Sequence, residues 1–406
     1  MDFPLTFAPQ NTLLMPSPSK YDRRGVSATK SEVHAAIQHL DKGLFPNAFC
    51  KILPDIAGGD EAYCNIMHAD TAGTKTSLAY LYWRETGDLS VWDGIAQDAL
   101  VMNLDDMGCV GCVTNIALSS TIGRNKHLVP GEVIARLIRA TSDFLDRLRE
   151  YGILIHQAGG ETADVGDIVR TLDAGFTTFA RMPRNRVIAN DIRAGAAVVG
   201  LASYGQATYE DHYNGGIGSN GLTSARHDLL HKRYAEDYPE SYDPHMPEEV
   251  VYTGSRQLTE ELDIAGHAIS IGKLLLSPTR TYLPVIKTLL EELNPAAIQG
   301  MIHCSGGAQT KVLHFLHGKR VVKDRLFETP PLFALIQQES GTDWREMYQV
   351  FNMGHRLEVY VNEGDAQAVI DVARAYEIEA RVVGYVEDAS QNEVLLKGPH
   401  GTFSYT

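Results

Sequence analysis

The chain has 406 residues, 44% hydrophobic and 21% charged, enough for two or more domains with sizeable cores. A formal net charge of −15, from 51 acidic and 36 basic residues, argues against a nonspecific nucleic-acid or anionic-membrane surface, though not against a local site for a small anion. No apolar run is long enough to span a bilayer, Met1 to Lys20 lacks the pattern of a signal peptide, and five scattered cysteines fit a reducing cytoplasm.

Residues 1–20, rich in Pro, Ser and Thr, read as an arm. Helical spacing follows over Lys30 to Leu40, with Ser27 or Thr29 as candidate caps. Gly43 to Pro54 reads as loop, and Tyr63 to Ala69 as a strand running into the turn Asp70-Thr71-Ala72-Gly73-Thr74-Lys75. An acid, a small-residue turn and a lysine suit phosphate chemistry, although an ordinary surface turn has the same local pattern. Ile95 to Cys112 places Asp98, Asp105 and Asp106 among apolar or small residues. In a helix, Asp98 and Asp105 share a face about 10 Å apart, two turns along. Three such acids suggest magnesium with a phosphate, or an ordinary helix ending in a solvated Asp pair. Cys109 and Cys112, a lone C-x-x-C, read as packed thiols rather than a zinc site.

Gly131 to Gly152 is an amphipathic helix with a natural glycine stop. Ile153 to Gln157 is a short strand, and Gly159-Gly160-Glu161-Thr162-Ala163-Asp164 resembles a second metal-facing turn. A boundary falls at Met182 to Gly195, before a strand at Ala196 to Leu201. Tyr204 to Gly221 is glycine-rich and ends Gly218-Ser219-Asn220-Gly221 ahead of a helix from Leu222. The first-turn N–H groups of that helix suit an anion, or simple capping. Ser277 to Arg280 is a turn carrying a cation, and His303-Cys304-Ser305-Gly306-Gly307 precedes a helix at Ala308 to His317, a second candidate anion site. A β-α-β unit follows: strand Leu357 to Val361, helix Ala366 to Tyr376 and strand Ala380 to Val386. The pattern predicts an α+β protein.

The ordered set is more specific than any member. It runs D-T-A-G-T-K (70–75), D-A-L-V-M-N-L-D-D (98–106), G-G-E-T-A (159–163), G-L-A-S (200–203), S-N-G (219–221), P-T-R-T-Y (278–282), H-C-S-G-G (303–307) and E-M-Y-Q-V-F-N-M-G (346–354). This resembles the phosphoribosylformylglycinamidine cyclo-ligase (aminoimidazole ribonucleotide synthetase) family over about residues 20–390. That family usually shows D-G-V-G-T-K, D-L-V-A-M-C-V-N-D, G-G-E-T-A, G-L-x-S-S-G with H-S-N-G, P-T-x-I-Y, H-I-T-G-G-G and F-N-M-G. The chain departs from it at Thr71 and Ala72, at Asp105 in place of Asn, at Cys304, Ser305 and Ala308, and at Gly218, where the family has a histidine. About ten extra residues lie between Ser203 and Ser219, and one of them, His212, is a possible substitute. These departures mark a divergent branch.

The resemblance implies a two-domain synthetase fold. An arm at 1–20 precedes an ATP- and magnesium-binding, dimerising domain at 21–190, whose four-stranded sheet completes a barrel with its partner. An α+β, sandwich-like domain follows at 191–395, with a tail at 396–406. It implies a cytoplasmic homodimer that cyclises formylglycinamidine ribonucleotide with ATP and binds neither nucleic acid nor membrane. Asp70, Lys75 and Asp98 would be catalytic, and Asp70, Asp98, Asp106 and Glu161 would hold the metal. Gly73, Thr74, Lys75, Asp98, Asp106, Gly160, Glu161 and Thr162 would bind ATP, and Ser219, Asn220, Gly221, Gly306, Gly307 and Asn352 the ribonucleotide. No covalent nucleophile is evident, and positioning with charge stabilisation suffices for this chemistry. A sibling ATP-using enzyme, such as thiamine-monophosphate kinase, and a non-catalytic nucleotide binder are the competing readings.

Overall fold

The computed structural model describes residues 20–27, 31–264 and 266–406. The arm at 1–20 lies outside them except for Lys20, and so does Thr29 as a cap; the expected first helix spans Ser31–Ile37.

Two sheets organise the chain. The first contains β1 (Ile52–Pro54), β2 (Tyr63–Thr71), β3 (Ile116–Arg124), β4 (Ile155–Asp164) and β5 (Leu172–Pro183), in the order β1-β2-β5-β3-β4. It has one strand more than the resemblance implies, because Ile52–Pro54, expected as loop, pairs with β2. A second correction concerns Gly159–Asp164. These residues form no turn: they continue β4, which pairs in parallel with β3 as far as Arg124↔Asp164. Local glycine content suggested a break, but the β3 ladder satisfies the backbone of this stretch. Gly160 is needed for that pairing, since a Cβ there would lie 1.9 Å from Ser120 Oγ. β4 is an edge strand, exposed along most of its length.

The helix Val91–Gly108 packs across β2 and β5 and against the helix Gly131–Glu150. It is buried almost all round, as expected for a helix apolar on every side. Two of its glycines admit the second half of the chain. A Cβ at Gly94 would meet Pro278, and one at Gly108 would meet Leu283 and Ile286.

The second sheet contains β6 (Ala196–Ala202), β9 (Ile298–His303), β10 (Lys319–Lys323), β11 (His355–Asn362), β12 (Ala380–Asp388), β13 (Glu393–Gly398) and β14 (Gly401–Tyr405). Their order is β14-β13-β10-β12-β6-β11-β9, and β7 (Glu261–Ile264) and β8 (His267–Ser270) form a separate hairpin. The helices Leu283–Glu292 and Ala366–Ala375 cover one face through Val285, Leu289, Val369 and Val372, packed on Val199, Leu201 and Val359. Residues 396–406, expected as a tail, instead complete this sheet: β14 returns along β13 after a turn at Pro399 and His400. The expected α-helix at Ala308 to His317 is a 3-10 helix over Ala308–Phe315. Among the described residues no helix is long and apolar enough to cross a membrane.

Candidate functional site

The segment from Ser277 to Tyr282 belongs to the second half by sequence, yet it is the belt that binds the acids of the first. Lys75 opens the helix Lys75–Thr86 and is fully buried. Its ammonium donates to Asp98 Oδ1 at 2.8 Å and to the Ser277 carbonyl at 2.6 Å. Burial depresses the Lys75 pKa, and the Asp98 carboxylate only partly counters this. Asp98 Oδ1 also accepts from Thr279 N (2.7 Å) and Thr279 Oγ1 (2.6 Å). Three donors therefore converge on one oxygen, while the buried Oδ2 has no donor among the described residues.

Two turns on, Asp105 takes the Thr281 hydroxyl at 2.6 Å and the Tyr282 N–H at 2.9 Å. Burial nevertheless raises its pKa. Thr281 stands where the family pattern has Ile, and Asp105 where it has Asn. The two departures touch, a pairing missed from the sequence, where only Asp105 stood out.

Asp106 faces a different group. His303 Nδ1 lies 2.6 Å from Oδ1, and His68 Nε2 lies 3.3 Å from Oδ2. Burial opposes its charge, but the two imidazoles outweigh burial and hold the carboxyl well below the usual range. Burial likewise works against the His68 imidazolium, and the bond to Asp106 overturns it, raising the His68 pKa. Neither histidine was singled out as a partner of these acids from the sequence. Asn103, which accepts from His68 Nδ1 at 3.0 Å, was missed as well.

The remaining acids lie on the first sheet. Asp70, half-buried near the end of β2, accepts from the Thr71 N–H, and Glu161 is exposed on β4. Thr71 pairs with Gly175, Gly175 with Thr121 and Thr121 with Glu161, so three strand spacings, roughly 14 Å, separate the two regions. Among the described residues no three of Asp70, Asp98, Asp106 and Glu161 bring ligand atoms within 4.8 Å of one another. One ion cannot be shared by all four within one chain. Gly73 and Thr74 form an exposed turn, with Thr74 Oγ1 2.9 Å from Thr223 Oγ1. Thr162 N donates to Glu161 on the exposed edge.

On the second half, Ser219 Oγ lies 3.0 Å from Thr279 Oγ1, which joins the glycine-rich loop to the belt. Asn220 Oδ1 is buried without a donor among the described residues, and its amide faces Gly306 of the Gly306-Gly307 turn. Gly221 caps the helix Leu222–Leu229 at φ +76°, where a Cβ would lie 2.4 Å from the Phe351 ring. Asn352 uses its whole amide inside the protein: it accepts from Ser203 (2.8 Å) and Gly354 N (3.0 Å) and donates to the Gly216 carbonyl (2.7 Å). It fixes the loop.

The insertion is a brace on the belt. Tyr209 donates to the Thr281 carbonyl at 2.5 Å, Glu210 pairs with Arg280, and Asn214 donates to the Pro278 carbonyl at 2.7 Å. His212 is exposed. From below, the buried Arg24 pairs with Asp228 of the Leu222–Leu229 helix at 2.7 Å.

Fold and site together define a two-domain enzyme with acids on one half and glycine-rich, N–H-presenting loops on the other. The family described as AIR synthase related protein, N-terminal domain, matches residues 54–182, and its C-terminal domain matches residues 193–397. The chain belongs to the AIR synthase related family, and its enzyme class is that of an ATP-dependent cyclo-ligase. It is 31% identical over 314 residues to a phosphoribosylformylglycinamidine cyclo-ligase of Pyrococcus furiosus, covering 76% of this chain and 75% of that one. With the enzyme of that name from Methanocaldococcus jannaschii, identity is 26% over 329 residues, 80% and 79% of the two chains. Among solved structures, a chain of the HypE–HypF complex superposes with a TM-score of 0.53 at 13% identity, covering 93% of this chain and 98% of that one. AaThiL complexed with AMPPCP and TMP gives 0.50 at 9% identity, with 93% and 96% covered. These two likenesses establish the fold.

Proposed function

We propose that the chain converts formylglycinamidine ribonucleotide and ATP into aminoimidazole ribonucleotide, ADP and phosphate. The observation that carries this reading is the belt: one segment ties Lys75, Asp98 and Asp105 of the first half to Ser219 of the second. Half of the eight buried side-chain atoms without a partner among the described residues lie around it, namely Asp98 Oδ2, Asn220 Oδ1, His303 Nε2 and Arg356 Nε. Buried polar atoms are ordinarily satisfied, so such a concentration marks a place where a polar ligand completes the bonding.

In the reaction, the γ-phosphoryl group moves to the formyl oxygen and turns a poor leaving group into a good one. The ribose-bearing amidine nitrogen then attacks the same carbon, and phosphate departs. Magnesium, when bound with the nucleotide, neutralises the triphosphate charge. Asp98, with its unpartnered oxygen, is the hard donor that would hold it, while Asp70 and Glu161, roughly 14 Å apart across the sheet, would serve separate ions. Asp106 is taken by its two imidazoles and orients His303, and Lys75 acts by fixing Asp98 and the belt. Ser219, Asn220 and Gly306 face the ribonucleotide. Release of phosphate from ATP should require both magnesium and formylglycinamidine ribonucleotide. ADP formation stimulated by thiamine monophosphate, with the phosphoryl group carried onto that acceptor and no phosphate released, would replace this reading with a kinase, and nucleotide binding without turnover would leave a binder.

We infer that the working unit is a homodimer whose two first sheets close into a barrel. Among the described residues β4 has one strand neighbour, and Met67, 61% exposed, projects from the sheet. A second copy would also bring further carboxylates to acids too far apart within one chain. Sedimentation at micromolar concentration should return twice the chain mass; a monomer there would rule the barrel out.

A further inference from the structure

Arg356, on β11, is 2% exposed, and it forms no ion pair among the described residues. Its Nη2 donates to the Arg280 carbonyl at 3.0 Å, and its Nε has no acceptor. A buried guanidinium without a carboxylate is costly, and chains rarely keep one unless an anion completes it. The nearby carboxylates are already engaged, Asp105 with Thr281 and Tyr282, and Glu210 with Arg280.

The guanidinium reaches the glycine-rich loop. A Cβ at Gly218 would lie 2.2 Å from Arg356 Nη1, so no side chain fits at 218 while Arg356 holds this position. Gly218 is the position where the family pattern has a histidine. The structure thus exchanges a cationic side chain on the loop for one that arrives from β11. Beside it stand the Asn220 amide, the first turn of the Leu222–Leu229 helix and the Gly306 turn. A cation without a carboxylate partner beside helix N–H groups is the chemistry that takes a phosphate monoester.

We propose that Arg356 binds the phosphate monoester of the ribonucleotide, in the role that the loop histidine would otherwise fill. This inference rests on the ribonucleotide reading above. Its test uses Arg356→Gln and Arg356→Lys in the full-length protein, with two readouts. In the first, ribose 5-phosphate, and not ribose, raises the melting temperature of the wild type. Arg356→Gln abolishes that rise, and Arg356→Lys keeps part of it. In the second, the KM for formylglycinamidine ribonucleotide rises roughly ten- to a hundredfold in Arg356→Gln, the range for losing a charge-assisted hydrogen bond, while the KM for ATP stays within about twofold. An undiminished ribose 5-phosphate shift in Arg356→Gln would overturn the proposal, as would a rise confined to the ATP KM. If Arg356→Gln does not fold, Arg356→Lys decides: a severalfold higher ribonucleotide KM supports the proposal, and a wild-type value refutes it. If the wild type turns over no formylglycinamidine ribonucleotide, the functional reading falls, and the ribose 5-phosphate shifts still decide the role of Arg356.

Discussion

Asp98→Asn is expected to lower turnover at least about tenfold and to destabilise the protein at the same time. One carboxylate oxygen gathers the Lys75 ammonium, the Thr279 hydroxyl and the Thr279 N–H. Asparagine keeps the shape but removes the charge, so the buried ammonium is left with neutral acceptors, the residue-98 amide oxygen and the Ser277 carbonyl. Leaving such a charge uncompensated costs about 3–5 kcal/mol, and the other oxygen loses its hold on a metal or ligand proton. Phosphate-release kinetics at saturating magnesium, alongside urea unfolding, separate the two effects. Unchanged kinetics would remove Asp98 from the site, and Lys75→Met in the Asp98→Asn background should restore stability without restoring turnover.

Glu358→Gln should cost stability by a similar amount, about 3–5 kcal/mol out of a typical total of about 5–15, in the core of the second sheet. Glu358 pairs with Lys323, accepts from Tyr360 at 2.6 Å and contacts His355 at 2.9 Å, all within a fully buried cluster. Burial raises its pKa, but Lys323 and His355 outweigh burial and bring it down from 4.5 to about 2. A depressed folded pKa means that the stabilisation is complete above about pH 4.5 and lost as pH falls toward 2. The variant should therefore melt earlier at neutral pH and show a flatter acid limb. Equal urea midpoints at pH 7 would show that the pair contributes nothing. Cys304, His355 and Glu358 bring donor atoms within 4.8 Å of one another, but the Lys323 ammonium already supplies the positive charge there.

Periodicity and turn chemistry located the long elements well. The amphipathic Gly131–Glu150 and the β-α-β unit from His355 to Asp388 are set by local spacing, whereas the helix Val91–Gly108, buried almost all round, carries no such period and is expected only conditionally, over Ile95 to Cys112. Elements whose backbone is satisfied by a distant strand were misread, as at Gly159–Asp164 and at β14, because a ladder partner leaves no mark nearby in sequence. The acids at 98, 105 and 106 were visible as anomalies, but their partners were not. Thr279 and Thr281 lie more than 170 residues from them, and His303 almost 200. Asp105 stood out as a departure without its partner, and Thr281, which departs from the same family pattern, was not noticed as one.

The belt also limits how the enzyme moves. Swinging the two halves apart like a clamshell would pull Thr279 and Ser277 off Asp98 and Lys75, and Thr281 and Tyr282 off Asp105. That would strand three ionisable groups in an apolar setting in every catalytic cycle. The traffic of substrate and product therefore falls to parts smaller than a domain, such as the exposed Asp70–Thr74 turn, whose Thr74 hydroxyl meets Thr223 of the helix Leu222–Leu229. The belt thus ties the two halves through hydrogen bonds that a hinge motion would have to break.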